Sequence, residues 1–354
     1  MKIHLAIHHR PGSFSERWIS YCESHQIPYA LVNCLSTDII QKLAASDGLL
    51  WHWNHQDQSS QLAARHVLTA AETLGLTVFP STATGWHFDD KVAQKYLLEA
   101  VGAPLATTYV FYDLDEARRW IGQASFPKVF KLRKGAGSEN VRLARSRKEA
   151  YVLAQQAFSA GFRAVPRYWN DAGRRYRATR SKQDWVGALK RLPSTLKNIR
   201  RLNQSIGPEK GYVYFQDFIA DNQFDTRVTV IGERAFGFIR RVRPGDFRAS
   251  GSGDIDYDPR MVDLRCVRIA LDTAQKMGSQ SAAFDFVQTP DNQPLIVEVS
   301  YCYGAEFVHN CPGHWDSQLN WCDGQVWPEE AIVVDLLKTI SQRRPRLSIA
   351  ASAH

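Results

Sequence analysis

Up to about Thr84 the chain alternates short apolar runs with stretches of helical spacing: Ile3 to Ile7, Phe14 to His25, Tyr29 to Cys34, Thr37 to Leu43, Gly48 to Trp53, Gln58 to Leu74 and Thr77 to Phe79. Strand and helix in turn predict an open parallel α/β sheet. Ligands of such sheets lie beyond the carboxyl ends of the strands, which brings His8-His9-Arg10-Pro11-Gly12-Ser13 and Trp51-His52-Trp53-Asn54-His55 to a cleft as candidate substrate contacts. The plainer reading has the tryptophans in the core and the histidines on the surface. After Lys91, the apolar positions Val92, Tyr96, Leu97 and Ala100 predict a helix to about Val101. From there the spacing turns β-like. Phe126 to Lys131 and Asn140 to Leu143 read as strands, as does Tyr212 to Ile219, while Val228 to Ile231 and Ala235 to Ile239 read as a hairpin turning at Gly232-Glu233. A second hairpin pairs Phe284 to Val287 with Leu295 to Val299 across Pro290, Asp291 and Asn292.

Each strand of that last hairpin carries one acid among hydrophobes, Asp285 and Glu298. A buried carboxylate is costly unless paired or bound to a metal, and Mg²⁺ takes carboxylate oxygens completed by water and phosphates. The alternative is an ordinary hairpin with its acids in solvent. The glycine-rich run Asp246 to Gly253 and the loop Gly135-Ala136-Gly137-Ser138 could fold over an anion, although neither the Walker spacing nor G-x-G-x-x-G opening a helix occurs.

Composition narrows the setting. At 354 residues the chain is long enough for two or three compact units. It has no apolar run of about 18 residues and no signal-peptide pattern, which reads as a cytoplasmic protein without a membrane span. Six cysteines without a CxxC pair read as free thiols, and a net charge of +8 points to anionic ligands. The segment 163–210 interleaves basic residues with Tyr168, Trp169, Tyr176 and Trp185. It is either a solvated insertion or a surface for a polyanionic acceptor such as an acidic glycan or phosphorylated carrier, with nucleic acid the weaker reading. Cys302, His309, Cys311, His314 and Cys322 lack the short paired spacing of structural zinc. Tyr301 to Trp321 reads instead as a closing loop with Trp315 and Trp321 as walls of an acceptor site. It precedes a terminal helix from Glu329 to Ser341 and a frayed tail.

Taken in order, these pieces resemble the ATP-grasp superfamily, and most closely its glutathione synthetase and ribosomal-protein glutamate ligase branch, over roughly Trp86 to Gly304. The resemblance implies an N-terminal open parallel α/β (pre-ATP-grasp) domain over 1–85. A small α+β lid with its linker helix follows over 86–215, a C-terminal antiparallel α+β domain over 216–345, and a frayed tail over 346–354. It implies ATP and Mg²⁺ as cofactors. Lys91 and Lys131 would bind phosphates, Gly135, Gly137 and Ser138 would form the phosphate-covering loop, Gln216-Asp217-Phe218-Ile219 would be the adenine hinge, and Asp225 would hold the ribose. Arg241 and Arg248, within Arg240 to Arg248, would act in catalysis with Lys131. Asp285 and Glu298 match two of three metal ligands, and Ser300 stands where the family has Asn. The implied activity is an ATP-dependent carboxylate–amine ligase working through an acyl phosphate on small-molecule acid and amine substrates, such as a sugar acid or amino acid in surface-polysaccharide assembly, with a homodimer as the family habit. A small-molecule kinase and a noncatalytic nucleotide- or polyanion-binding module stay open as alternatives.

Overall fold

The computed structural model describes residues 2–54, 58–135, 140–163, 207–242 and 253–351. The chain divides into two compact units, one formed by 1–106 with 219–354 and the other by 107–218. The N-terminal and C-terminal parts, separate domains in the sequence reading, therefore belong to one unit.

That unit opens with β1 (Leu5–His8), α1 (Ser15–Ser24), β2 (Tyr29–Val32), α2 (Ile39–Leu43), β3 (Gly48–Leu50), α3 (Gln58–Thr73) and β4 (Thr77–Phe79), the strands being parallel in the order β2-β1-β3-β4. Leu5, Ala6 and Ile7 are all fully buried, as expected of a parallel strand covered on both faces. After α4 (Thr82–Gly85), α5 (Lys91–Ala100) starts at Asp90, whose carboxylate accepts the Ala93 N–H at 3.0 Å. This cap fixes where the helix begins and so where Lys91 stands.

The second unit contains β5 (Thr108–Phe111), α6 (Leu114–Gln123), β6 (Lys128–Lys131), β7 (Val141–Ala144), α7 (Arg147–Phe158) and β8 (Val213–Asp217). Its strands are antiparallel in the order β5-β8-β6-β7. Phe130 and Phe215 bury one sheet face in a core with Ala117, Ile121, Ala150 and Leu153 of the two helices.

The first unit then resumes with β9 (Phe224–Ile231), β10 (Arg234–Arg241), β11 (Ile255–Asp256), α8 (Leu264–Met277), β12 (Ser281–Gln288), β13 (Pro294–Ser300), α9 (Ala305–His309), β14 (Gly313–Trp315), β15 (Trp321–Asp323) and α10 (Pro328–Ala351). They build a seven-stranded antiparallel sheet, β13-β12-β9-β10-β14-β15, with β11 on β10. Because side chains alternate across a strand, the sheet has two distinct faces. Val228, Val230, Ala282 and Phe284 pack against Val267, Ala270 and Ala274 of α8. Ile231, Phe236, Phe238 and Ala283 point the other way, into a core shared with the parallel sheet. That shared core joins the two ends of the chain. It is reinforced where the buried Trp18 of α1 donates its indole N–H to the Glu329 carbonyl of α10 at 3.1 Å.

Two expectations fail here. The segment from Tyr301 to Trp321 is not the expected closing loop with Trp315 as a wall, because β14 and β15 extend the large sheet and Trp315 is buried in the α8-side core. The terminal helix runs from Pro328 to Ala351, beyond the end at Ser341 that the spacing predicts.

Candidate active site

The second face of the large sheet carries a ladder of charge. Asp285 of β12 stands opposite Glu298 of β13 on one side and Arg227 of β9 on the other, and Asp225 of β9 stands opposite Arg240 of β10. Directly opposed residues of antiparallel strands share a face, so all five side chains lie on one surface. A bulge between Asp285 and Phe286, with Val297 as the extra residue of β13, keeps Glu298 beside Asp285 while Ile296 turns into the α8-side core.

The distances show a closed network. Arg227 clamps Asp285 through Nε at 2.6 Å and a terminal nitrogen at 2.7 Å. Arg240 clamps Asp225 in the same way at 2.7 and 2.6 Å and also reaches Asp285 at 2.9 Å. Lys91, on the first turn of α5, lies 3.4 Å from Glu298. Burial alone would raise the Asp285 carboxyl, but the Arg227 and Arg240 guanidiniums outweigh it and hold the group well below the usual carboxylate range. Asp225 depends chiefly on Arg240, and there burial prevails and raises the carboxyl. Burial would lower Arg240, but the two carboxylates keep it more firmly protonated than a free arginine.

This geometry re-sorts the sequence assignments. Both oxygens of Asp225 are bound to Arg240, so this acid is a strut of the ladder and is not presented to a ribose. Arg241 lies on the other face by strand alternation, half-exposed and paired with Asp256 at 3.0 Å, and it is Arg240 that faces the ladder. Arg227 was missed altogether. Its signal was present in the sequence, since Asp225 and Arg227 are two residues apart on a strand and Arg240 sits on the returning strand of the same hairpin. Arg248, Gly137 and Ser138 lie outside the described residues, as does most of the basic segment 163–210.

The donor set suits a hard cation. Among the described residues no three His, Cys, Asp or Glu side chains gather about one point. Asp285 and Glu298 are instead supplemented by Ser300, two residues beyond Glu298 on the same face. The hydroxyl of Ser300 accepts the Cys302 N–H at 3.2 Å. The guanidiniums make three hydrogen bonds to Asp285, whose carboxylate offers about four acceptor positions, so one remains for a cation while Glu298 is one-third exposed. Two carboxylates and a hydroxyl fit Mg²⁺ completed by water and phosphate.

The 107–218 unit has its own polar face. Lys131 is buried and donates to the Gln216 side-chain oxygen at 2.7 Å, and the Gln216 amide donates to Thr108 Oγ1 at 3.1 Å. Asp217 points to the opposite face, where it binds Lys128 at 2.5 Å, so within the hinge sequence only the Gln216 side chain joins Lys131. Phe218 and Ile219 follow the strand as half-buried residues. Gly135 takes φ +116°, a conformation that favours glycine and lets the chain turn after β6.

At the carboxyl ends of β1 and β3 the tryptophans are core, Trp51 and Trp53 being almost fully buried. His52 stacks on Phe14 at 3.8 Å, accepts the Phe14 N–H on Nδ1 at 3.4 Å and lies 3.5 Å from Cys302 Sγ. Burial, aided by the Arg10 charge, pushes its imidazole down to about 3, so it is neutral. The Tyr301 hydroxyl donates to the Trp53 carbonyl. The loop after β13 is thereby tied to the loop after β3.

Residues 188–312 match the family model described as the RimK-like ATP-grasp domain. That match covers about a third of the chain. Among solved structures, the RimK domain ATP-grasp protein of Sphaerobacter thermophilus aligns over 94% of this chain and 98% of its own, with TM-score 0.55 and 14% identity. D-cycloserine synthetase aligns over 94% and 99% with the same TM-score, 0.55, and 14% identity. The biotin carboxylase domain of Hydrogenobacter thermophilus 2-oxoglutarate carboxylase, a complex with MgADP, ADP and bicarbonate, aligns over 94% and 69%, with TM-score 0.55 and 12% identity. At such identities the likeness is one of fold, and it is the ATP-grasp fold. Curated proteins gave no significant match. The family match begins inside the basic stretch and includes Gln216, the whole ladder and Ser300, while Lys91, Lys131 and Gly135 precede it. A cavity of about 450 Å³ lined by Gly232, Glu233, Arg234, Gln280, Asp335 and Lys338 opens at the β9–β10 turn and contains none of these residues.

Proposed function

We propose that the chain is an ATP- and Mg²⁺-dependent carboxylate–amine ligase. The observation that carries the proposal is the juxtaposition of Asp285 with Glu298 on one sheet face, flanked by Lys91, Arg227 and Arg240. A neighbour of the same fold, solved with MgADP and bicarbonate, supports it. Asp285, Glu298 and Ser300 would hold Mg²⁺, which supplies charge neutralisation to the phosphates of ATP. Arg227 and Arg240 fix the Asp285 carboxylate in place and keep it ionised. Lys91 would place a positive charge beside the transferred phosphate, and Lys131 with Gln216 would hold phosphate and adenine groups of the nucleotide. A substrate carboxylate oxygen attacks the γ-phosphorus as the bond to ADP breaks. The amine nitrogen then attacks the acyl carbon, phosphate leaves and the nitrogen loses a proton. No protein nucleophile takes part.

Hydroxylamine tests this reading. With Mg²⁺, ATP and the correct acid it should intercept the acyl phosphate, giving hydroxamate and ADP in equal amounts. ADP with a stable phosphorylated product and no hydroxamate would make the chain a kinase. For nucleotide binding, Lys131→Ala should weaken ATP by about 10- to 100-fold in calorimetry, the worth of a charged hydrogen bond, with an unchanged circular dichroism spectrum.

A further inference from the structure

Among the described residues Arg10 is a built feature without a counter-ion. Its backbone is pinned to the start of α1: its N–H donates to Ser15 Oγ at 3.0 Å, and its carbonyl accepts from Ser13 Oγ at 2.7 Å and Ser15 Oγ at 3.2 Å. Ser15 is fully buried, so the anchor is rigid. The side chain is half-buried and makes no ion pair among the described residues. Its charge acts on His52 and Tyr301, both enclosed. His52 touches Cys302, two residues past Ser300 on the strand that bears Glu298. A guanidinium on a pinned loop whose Phe14 packs on His52, with no carboxylate among the described residues to satisfy it, is arranged for an anion from outside.

Resting on the ligase reading, we infer that Arg10 binds a spectator carboxylate of a substrate, one that is recognised and not consumed. A carboxylate gripped by two guanidinium hydrogen bonds is stabilised as the ground-state anion and made a poorer nucleophile, so the reacting carboxylate is not the one Arg10 holds. The ligand is therefore bifunctional: either an amino acid supplying the amine or a dicarboxylic acid supplying the acyl group. Their shared chemistry is a fixed carboxylate beside the reacting group.

Calorimetry in the presence of Mg²⁺ and a nonhydrolysable ATP analogue tests this. The common L-amino acids and short dicarboxylic acids are each compared with the corresponding monoamide, in wild type, Arg10→Gln and Arg10→Lys. In wild type at least one acid should bind about tenfold or more tightly than its amide. Arg10→Gln should abolish that preference and Arg10→Lys should restore it only in part, because lysine lacks the planar fork. Which series binds identifies the substrate. Retained preference in Arg10→Gln, equal binding of acid and amide in wild type, or no binding by any probe overturns the inference. A melting curve confirms that Arg10→Gln is folded. Because the readout is binding, it separates from the ligase reading: hydroxamate formation with preference retained in Arg10→Gln removes only the role of Arg10, and the converse removes only the ligase.

Discussion

Glu298→Gln lowers Mg²⁺-dependent ADP formation by about 10³-fold, the upper range for removing one preorganised electrostatic contact. Glutamine has the same shape and can still accept a hydrogen bond, so what disappears is the charge that would bind the metal. The same change leaves Lys91, almost fully buried, without the partner it holds at 3.4 Å. Since Glu298 is one-third exposed, water offsets part of that loss and the stability cost should stay near 1 kcal/mol. Steady-state ADP release and a urea titration separate the two effects. Full activity in the variant would remove Glu298 from the metal site. A large loss of stability with proportionate loss of activity would make it structural only.

Asp285→Asn acts mainly on the fold. It leaves Arg227 and Arg240 with Asp225 as their one carboxylate partner among the described residues, at a position where the Asp285 side chain is almost fully buried. Breaking a buried ion network from one side costs about 3–5 kcal/mol. Urea unfolding should show that loss, whereas Asp258→Asn, at a surface pair with Arg260, should leave the unfolding midpoint essentially unchanged. The pH dependence follows from the depressed Asp285 carboxyl. Its contribution is complete above the unfolded value of about 3.9 and is lost as pH falls below it towards the lower folded value. Stability should therefore decline from about pH 4 downward, and Asp285→Asn should lack that part of the slope. Asp225, whose carboxyl is raised, contributes with the opposite sign: its ionisation opposes folding as pH rises, so Asp225→Asn should steepen the acid limb and not flatten it.

The layout of the chain was largely legible in its apolar spacing. The parallel strands up to Phe79 and both antiparallel hairpins appear where alternation put them, because each strand buries a complete face against helices or another sheet. Lys91 was legible through Asp90, a capping residue directly before a helical stripe. The charged partners were less so. Whether Arg240 or Arg241 faces the site is decided by strand parity, and parity is set by a register that pairs residues distant in sequence. The same parity sends Asp217 away from Gln216. Trp315 was misplaced because a two-strand edge of three residues each leaves almost no periodic signal. Arg10 was named only within its loop. Its importance depends on what is missing around it, and a sequence does not show that.

The most direct test of the account is ADP release with Mg²⁺ across a panel of carboxylic acids, each with and without a mixture of amines. The account predicts sustained turnover only when one acid and one amine are present together, and its loss in Glu298→Gln. Turnover with a hydroxyl acceptor and no carboxylate, or tight ATP binding with no ADP from any pair, would contradict it.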